Sequence, residues 1–296
     1  MVPGAKAKSF SIRWPKTKTD AGMCLIGFAW KAHPDFPLIV AANRDEFHAR
    51  ATAPSAWWND APQVLAGRDL QSGGTWMGIT RDGRFAALTN YRDAGEMRAN
   101  APSRGALVAD FLTGSDTPQP YLVNEAAEAA RYNGFNLLAG TLDQLGYFGN
   151  RGAAPQVLEP GVYGLSNALL DTPWPKVTGL KSALGAAVGV VNREEPLQSR
   201  VSGLMEKLFF ALGDAHIATD TALPRTGVPL ERERVLSPAM IVAPVYGTRA
   251  STVLCVASDG NVFWEERSLT PTGAVARCVR ETFSLNQQNQ SFRATR

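Results

Sequence analysis

Cysteine and histidine are scarce in this chain, three of each in 296 residues, and their spacing excludes several chemistries. Cys24, Cys255 and Cys278 are odd in number, far apart and outside any C-x-x-C or C-x-x-C-H pattern, so neither a disulfide framework nor covalent haem attachment is expected. A reducing compartment fits. His33, His48 and His216 form no H-E-x-x-H and no zinc spacing, and no metal site is expected. The chain lacks G-x-x-x-x-G-K-[ST] and a strand-linked G-x-G-x-x-G, which removes nucleotide binding through those loops. No apolar stretch approaches the roughly 18 residues of a membrane span, because Gly, Pro or a charge interrupts each one, so no integral membrane segment is expected.

An excess of one charge sign is also missing. Thirty Lys and Arg stand against 27 Asp and Glu, a net charge of +3. Lys6, Lys8, Arg13, Lys16 and Lys18 face only Asp20 within residues 1–22, which leaves the remainder close to neutral and argues against a nucleic-acid partner. That segment has no apolar run of a secretory signal and reads as a disordered leader or a misannotated start. Cytoplasmic location is the default expectation, with organelle targeting by residues 1–22 as the alternative. The 45% hydrophobic and 19% charged content is that of a globular protein with a sizeable core. We expect one domain over 23–285 and a flexible tail over 286–296; nothing sets the oligomeric state.

Cys24 to Trp30 and Leu38 to Ala42 flank a turn-rich stretch and predict a hairpin covered on both faces. A second hairpin is predicted over 75–80 and 85–89, around the turn dipeptide Asp82-Gly83. Ser103 is expected to cap a helix ending at Gly114, and another follows over 121–131. Strands are predicted at 135–139, 147–148 and 162–165, then a helix from Pro196 to Leu212 with Leu197, Val201, Leu204, Met205, Leu208 and Leu212 on one stripe. Residues 214–237 read as a long excursion, and the last strands are expected at 240–245, 251–257 and 261–266. Strands, then helices, then strands predict an α+β layered fold.

Met23-Cys24 at the head of the first strand is the most informative feature. If Cys24 becomes the amino terminus, its own α-amine, with an ordinary pKa near 8, can take the thiol proton, and the thiolate can attack a carbonyl without any histidine. Buried structural cysteine is the plainer reading. Asn43-Arg44-Asp45-Glu46 follows the paired strand, and Arg44 with Asp45 could hold amine and thiol in register and lower the thiol pKa. A solvated strand end explains the same residues. Asn90 and Asn167 could donate to a developing oxyanion, and Arg249 could orient a carboxylate, although turns use such residues as readily.

These residues carry a resemblance. Met23-Cys-Leu-Ile, Ala-Ala-Asn43-Arg-Asp-Glu46, Gly73-Gly-Thr-Trp-Met-Gly78, Leu88-Thr-Asn-Tyr91, Tyr132-Asn-Gly-Phe-Asn136, Gly149-Asn-Arg-Gly152, Tyr163-Gly-Leu-Ser-Asn-Ala168, Thr172-Pro-Trp174, Tyr246-Gly-Thr-Arg249 and Glu266-Arg267, in that order, closely resemble the NRDE family, also called the transport and Golgi organisation 2 family. The resemblance covers about residues 23–285, and such proteins begin at Met-Cys. It implies links to haem trafficking and, in animals, to secretory-pathway organisation and mitochondrial metabolism. The arrangement is also distantly similar to N-terminal-cysteine amidases of the penicillin V acylase and bile-salt hydrolase type. That similarity implies the αββα sandwich of N-terminal-nucleophile hydrolases, with Cys24 as nucleophile, Arg44 and Asp45 orienting it, Asn90 and Asn167 on the oxyanion and Arg249 stabilising charge. Arg44 and Asp45 are adjacent here, whereas those amidases space them more widely.

Two functions follow. One is hydrolysis of an amide or thioester without any cofactor, in a pocket lined by Asn43, Glu46, Trp57, Trp58, Trp76 and Phe135. The other is binding of a small molecule such as haem or an acyl-CoA-like ligand without turnover, with Cys24 or His48 as the axial ligand in the haem case. The aromatics are equally suited to the core.

Overall fold

The computed structural model describes residues 22–92, 98–152, 154–191 and 194–286. The expected leader therefore lies outside the described residues up to position 21, and the expected tail lies outside them from 287. The elements run β1 (Cys24–His33), β2 (Phe36–Phe47), β3 (Thr52–Trp57), β4 (Val64–Asp69), β5 (Met77–Thr80), β6 (Phe85–Asn90), α1 (Gly105–Thr113), α2 (Pro118–Ala127), β7 (Phe135–Gly140), β8 (Leu145–Gly149), β9 (Gln156–Val157), β10 (Gly161–Leu165), α3 (Pro175–Gly189), α4 (Leu197–Leu212), α5 (Leu230–Leu236), β11 (Tyr246–Val256), β12 (Asn261–Leu269) and β13 (Val275–Ser284).

Two antiparallel sheets form, with orders β10-β1-β2-β11-β12-β13 and β3-β4-β5-β6-β7-β8-β9. Side chains alternate along each strand, so each sheet presents one apolar set to its neighbour sheet and another to helices. Ile26, Phe28, Val40, Leu254 and Trp264 of the first sheet meet Leu65, Met77, Ile79, Phe85 and Leu138 of the second. The opposite face of the first sheet, with Leu25, Ile39 and Val253, packs on Leu180 and Leu184 of α3 and Leu204 and Leu208 of α4. The outer face of the second sheet packs Ala86, Leu88 and Leu137 on Leu107, Phe111 and Leu122 of α1 and α2. The result is the four-layer αββα order expected from the resemblance. Each fully buried leucine or phenylalanine in these layers contributes roughly 1.5–3 kcal/mol.

Several local expectations need correction. β2 runs through the Asn43–Glu46 run to Phe47, because its polar residues find buried partners in neighbouring layers. The α1 N-cap is Arg104, and no side chain caps it; Ser103 does not. The excursion after α4 contains α5. The strand expected at 240–245 is only a single bridge from Val242 to Gly247. The helix α3 and the strands β3, β4, β9 and β13 were not expected.

Candidate active site

Cys24 opens β1 and lies directly across from Arg44 of β2. Strand alternation points both side chains toward the second sheet, with Ile26, Phe28, Val40 and Ala42, whereas Asn43 and Asp45 point toward the helices with Leu25 and Ala41. The four-residue polar run is thus divided between two layers. Asn43 is fully buried away from Cys24: its amide donates to the Leu212 carbonyl at 2.9 Å and the Ala239 carbonyl at 2.8 Å, and its oxygen accepts from Ser251 Oγ at 2.6 Å. It fastens the end of α4 to the sheet.

Asp45 accepts from Thr248 Oγ1 at 2.6 Å, while its backbone N–H donates to the Met23 carbonyl at 3.0 Å. Burial pushes its carboxyl up, to about 7, against the lowering pull of Lys176. Lys176, itself buried and donating to the Leu236 carbonyl at 3.1 Å, is pushed down by the same desolvation. Beside them Arg92 and Glu233 form a buried ion pair.

A cavity of about 500 Å³ lies at the Cys24 end of the sandwich. Its lining includes Gly22, Cys24, Arg44, Glu46, Arg50, Trp76, Asn90, Arg104, Arg249 and Glu266. These come from β1, β2, β5 and β6 ends, the start of α1, and β11 and β12. The Gly73-Gly-Thr run brings α1 in: a Cβ on Gly74 would stand 2.5 Å from the Gly105 carbonyl group, so only glycine permits this approach, and the Thr75 amide then donates to the Gly105 carbonyl at 3.2 Å. Arg104 is thereby set on the cavity wall.

Among the expected site residues, Cys24, Arg44, Asp45, Glu46, Trp76, Asn90 and Arg249 share this lining, although the Asp45 carboxyl turns to the helix-facing side. Arg249 sits at a bulge of β11 and donates from Nη1 to the carbonyls of Phe47, His48 and Arg50 at 2.9, 3.1 and 3.2 Å, so it holds the chain leaving β2. The Asn90 amide donates to the Gly22 carbonyl. Asn167 is fully buried outside the cavity lining; its amide donates to the Asn90 carbonyl at 2.9 Å. Ser166 donates to the Cys24 carbonyl at 3.0 Å and to Asn167 Oδ1 at 3.2 Å. Asn167 and Ser166 thus position Asn90 and Cys24.

Asn43, Trp57, Trp58 and Phe135 do not line the cavity. Trp57 packs edge-on against Phe283 beneath the Arg81 guanidinium, and Trp58 and Phe135 belong to the core under α1 and α2. His48 also stands apart, its Nε2 paired with the Ala243 carbonyl at 2.9 Å. Sequence reasoning missed Arg104, Arg50, Ser166 and Tyr246. Ser166 stood inside a noted motif; Arg104 had no pattern to mark it.

The expected lowering of the thiol pKa by Arg44 and Asp45 concerns a Cys24 that bears a free amine; with Met23 in place the balance lies the other way. Burial pushes Cys24 up to about 12, the Asp45 charge pushes the same way, and Arg44 only partly opposes them. The Met23 amide, in turn, donates to Tyr246 Oη at 2.6 Å.

Residues 23–271 match the family model described as Transport and Golgi organisation 2. The chain belongs to that family. It is 41% identical over 262 residues to the Transport and Golgi organization protein 2 homolog of Bos taurus, an alignment covering 83% of this chain and 93% of the relative. The Homo sapiens homolog is 37% identical over 267 residues, with the same two coverages. Among solved structures, a mutant conjugated bile acid hydrolase from Clostridium perfringens is similar over 90% of this chain and 93% of its own, at 9% identity and a TM-score of 0.43.

Proposed function

We propose that this family member hydrolyses an amide or thioester bond, with the Cys24 thiol as nucleophile in a form where Cys24 carries a free α-amine. The observation that carries the reading is Asn90: its backbone carbonyl is held by the Asn167 amide, and its own amide, on the same cavity lining as the thiol, donates to the Gly22 carbonyl, an acceptor that a chain starting at Cys24 lacks. An oxyanion donor needs that arrangement.

The α-amine accepts the thiol proton, and the thiolate sulfur bonds to the acyl carbon, with the Asn90 amide holding the oxyanion. Collapse of the tetrahedral adduct breaks the acyl C–N or C–S bond, and the ammonium returns its proton to the leaving amine or thiolate. Water, deprotonated by the same amine, then attacks the acyl-cysteine, which releases the acid and restores the thiol. Arg44, opposite Cys24, supplies a fixed positive charge beside the sulfur.

A second reading is binding without turnover. Residues 22 and 23 favour it, since the Gly22 carbonyl takes the Asn90 amide and burial keeps the thiol protonated while Met23 is attached. An acyl-CoA-like ligand would use the same cavity; haem would have Cys24 but not His48 within it. Production of the protein starting at Cys24, assayed with acyl-amide and thioester libraries beside the chain that retains Met23, tests the two. Turnover confined to the Cys24-terminated form supports hydrolysis, and ligand binding without turnover by both forms supports carriage.

A further inference from the structure

Four strands form the free edges of the two sheets, and they differ. β9 has 2 residues, β10 has 5, and β3 carries Pro54 and a break in its pairing with β4. β13 has 10 residues without a proline, pairs with β12 on one side only, and is mostly exposed. Such an edge is a ready template for another strand. Charges on an edge ordinarily keep a neighbour off, and β13 carries Arg277, Arg280 and Glu281. Arg280 is held by Glu265 at 2.7 Å. Arg277 has no hydrogen bond or ion pair among the described residues; Glu281 accepts from Trp57 Nε1 at 3.2 Å and has no ion pair there.

The backbone limits how a second β13 could join. The Leu285 amide donates to the Gly260 carbonyl at 2.9 Å, and the register runs unbroken from there to Ser268 opposite Arg277. By the alternation of an antiparallel ladder, odd-numbered residues of β13 direct their main-chain groups to β12, while Ala276, Cys278, Arg280 and Thr282 direct theirs outward. An antiparallel copy must therefore set even residues opposite even ones. Centred on Arg277, Arg280 or Glu281, such a pair puts like charges face to face; centred on Cys278, it puts both Arg277 and Glu281 opposite valines. Centred on Val279, it sets Arg277 opposite the partner's Glu281, Val275 opposite the partner's Phe283 and Ala276 opposite the partner's Thr282, and the two-fold repeats each pair.

We propose that β13 is a homodimerisation edge, at which two copies of this chain pair antiparallel about a two-fold axis at Val279 and join their first sheets into one. The occupant is a second copy because the strand is complementary to itself in charge and in outward main-chain groups. Arg277 also lines the Cys24 cavity, so the dimer brings the partner's Glu281 to the rim of that cavity. The contact is one strand wide, which makes the dimer weak and reversible. None of this depends on turnover.

Sedimentation equilibrium of the full chain over about 5–300 μM, the range of weak interfaces, should show a monomer–dimer equilibrium. Arg277→Glu and Glu281→Arg should each weaken it about tenfold or more, since each sets like charges opposite one another. An equimolar mixture of these two variants should dimerise as the unaltered chain does, because every facing pair is again opposite in sign. The register is read by cross-linking. On mild oxidation, Val279→Cys in a Cys278→Ala background should form an interchain disulfide about tenfold or more faster than Cys278 of the unaltered chain, which stands opposite the partner's Arg280. A monomer at every concentration, a dimer indifferent to both charge reversals, no recovery in the mixture, or faster cross-linking through Cys278 overturns the proposal. If Glu281→Arg fails to fold for want of the Trp57 contact, Arg277→Glu and the disulfide rates decide.

Discussion

Cys24 and Arg44 oppose each other across β1 and β2, both turned toward the interior between the sheets, while Asp45 of the same polar run is turned the other way. This register separates roles that sequence adjacency blurs. Arg44 is a charge beside the sulfur. Asp45 belongs to a buried ionic layer behind it, with Lys176, Arg92 and Glu233.

Replacement of Cys24 by Ala is expected to abolish turnover while costing about 1 kcal/mol of stability, since the thiol is a small side chain at a strand end. Parallel activity assays and urea unfolding separate the two effects; a folded Cys24→Ala protein with unchanged turnover removes the nucleophile.

Asn43 is a staple, not a ligand contact. Asn43→Ala would strip the Leu212 and Ala239 carbonyls of a buried donor and Ser251 of an acceptor. A loss of about 2–4 kcal/mol in urea unfolding is expected, with KM of the remaining folded protein unchanged.

Glu233→Ala leaves the Arg92 charge buried without its ion-pair partner. About 3–5 kcal/mol of destabilisation should follow, and a double change of Arg92 and Glu233 to Met should cost less than the single one. Thermal unfolding of the three proteins checks the order.

Thiol reactivity gives the pH dependence. With Met23 attached, burial holds Cys24 up at about 12, so the thiol is protonated at neutral pH and its alkylation rate should keep rising with pH toward that value. Exposed Cys278 should react first. With a free α-amine as base, Cys24 should instead react readily near neutral pH. Iodoacetamide labelling read by peptide mass distinguishes the profiles, and a flat, slow Cys24 profile in both forms contradicts the amine's role.

Gly74→Ala forces a Cβ into the Gly105 carbonyl and pushes back the start of α1. An overpacking cost of about 1–3 kcal/mol is expected, read by urea unfolding.

The apolar runs of β1, β2, β6 and β7 made the two-sheet core legible in the sequence, and the stripe on α4 made its helix legible. Helix α3 was hidden by Gly179, Gly185 and Gly189, which weaken its helical pattern. Pro54 disguised β3, which tolerates it as an edge strand, and β13 is a largely exposed edge strand without an apolar alternation. Cys24, Arg44, Asn90 and Arg249 stood out as polar groups at strand ends, and the fold brings them to one cavity. The aromatics misled because ring identity says nothing of strand parity: Trp76 faces the cavity, while Trp58 and Phe135 face helices. Arg104 owes its place to a loop-to-helix contact that no local pattern encodes.

The most direct test of the central claim is kcat/KM for one substrate measured on three preparations whose termini are verified by intact mass: the chain starting at Cys24, the chain retaining Met23, and the Cys24-terminated chain with its α-amine acetylated. The account predicts turnover in the first and loss of it in the other two. Equal turnover in all three, or none in the first across amide and thioester libraries, contradicts it.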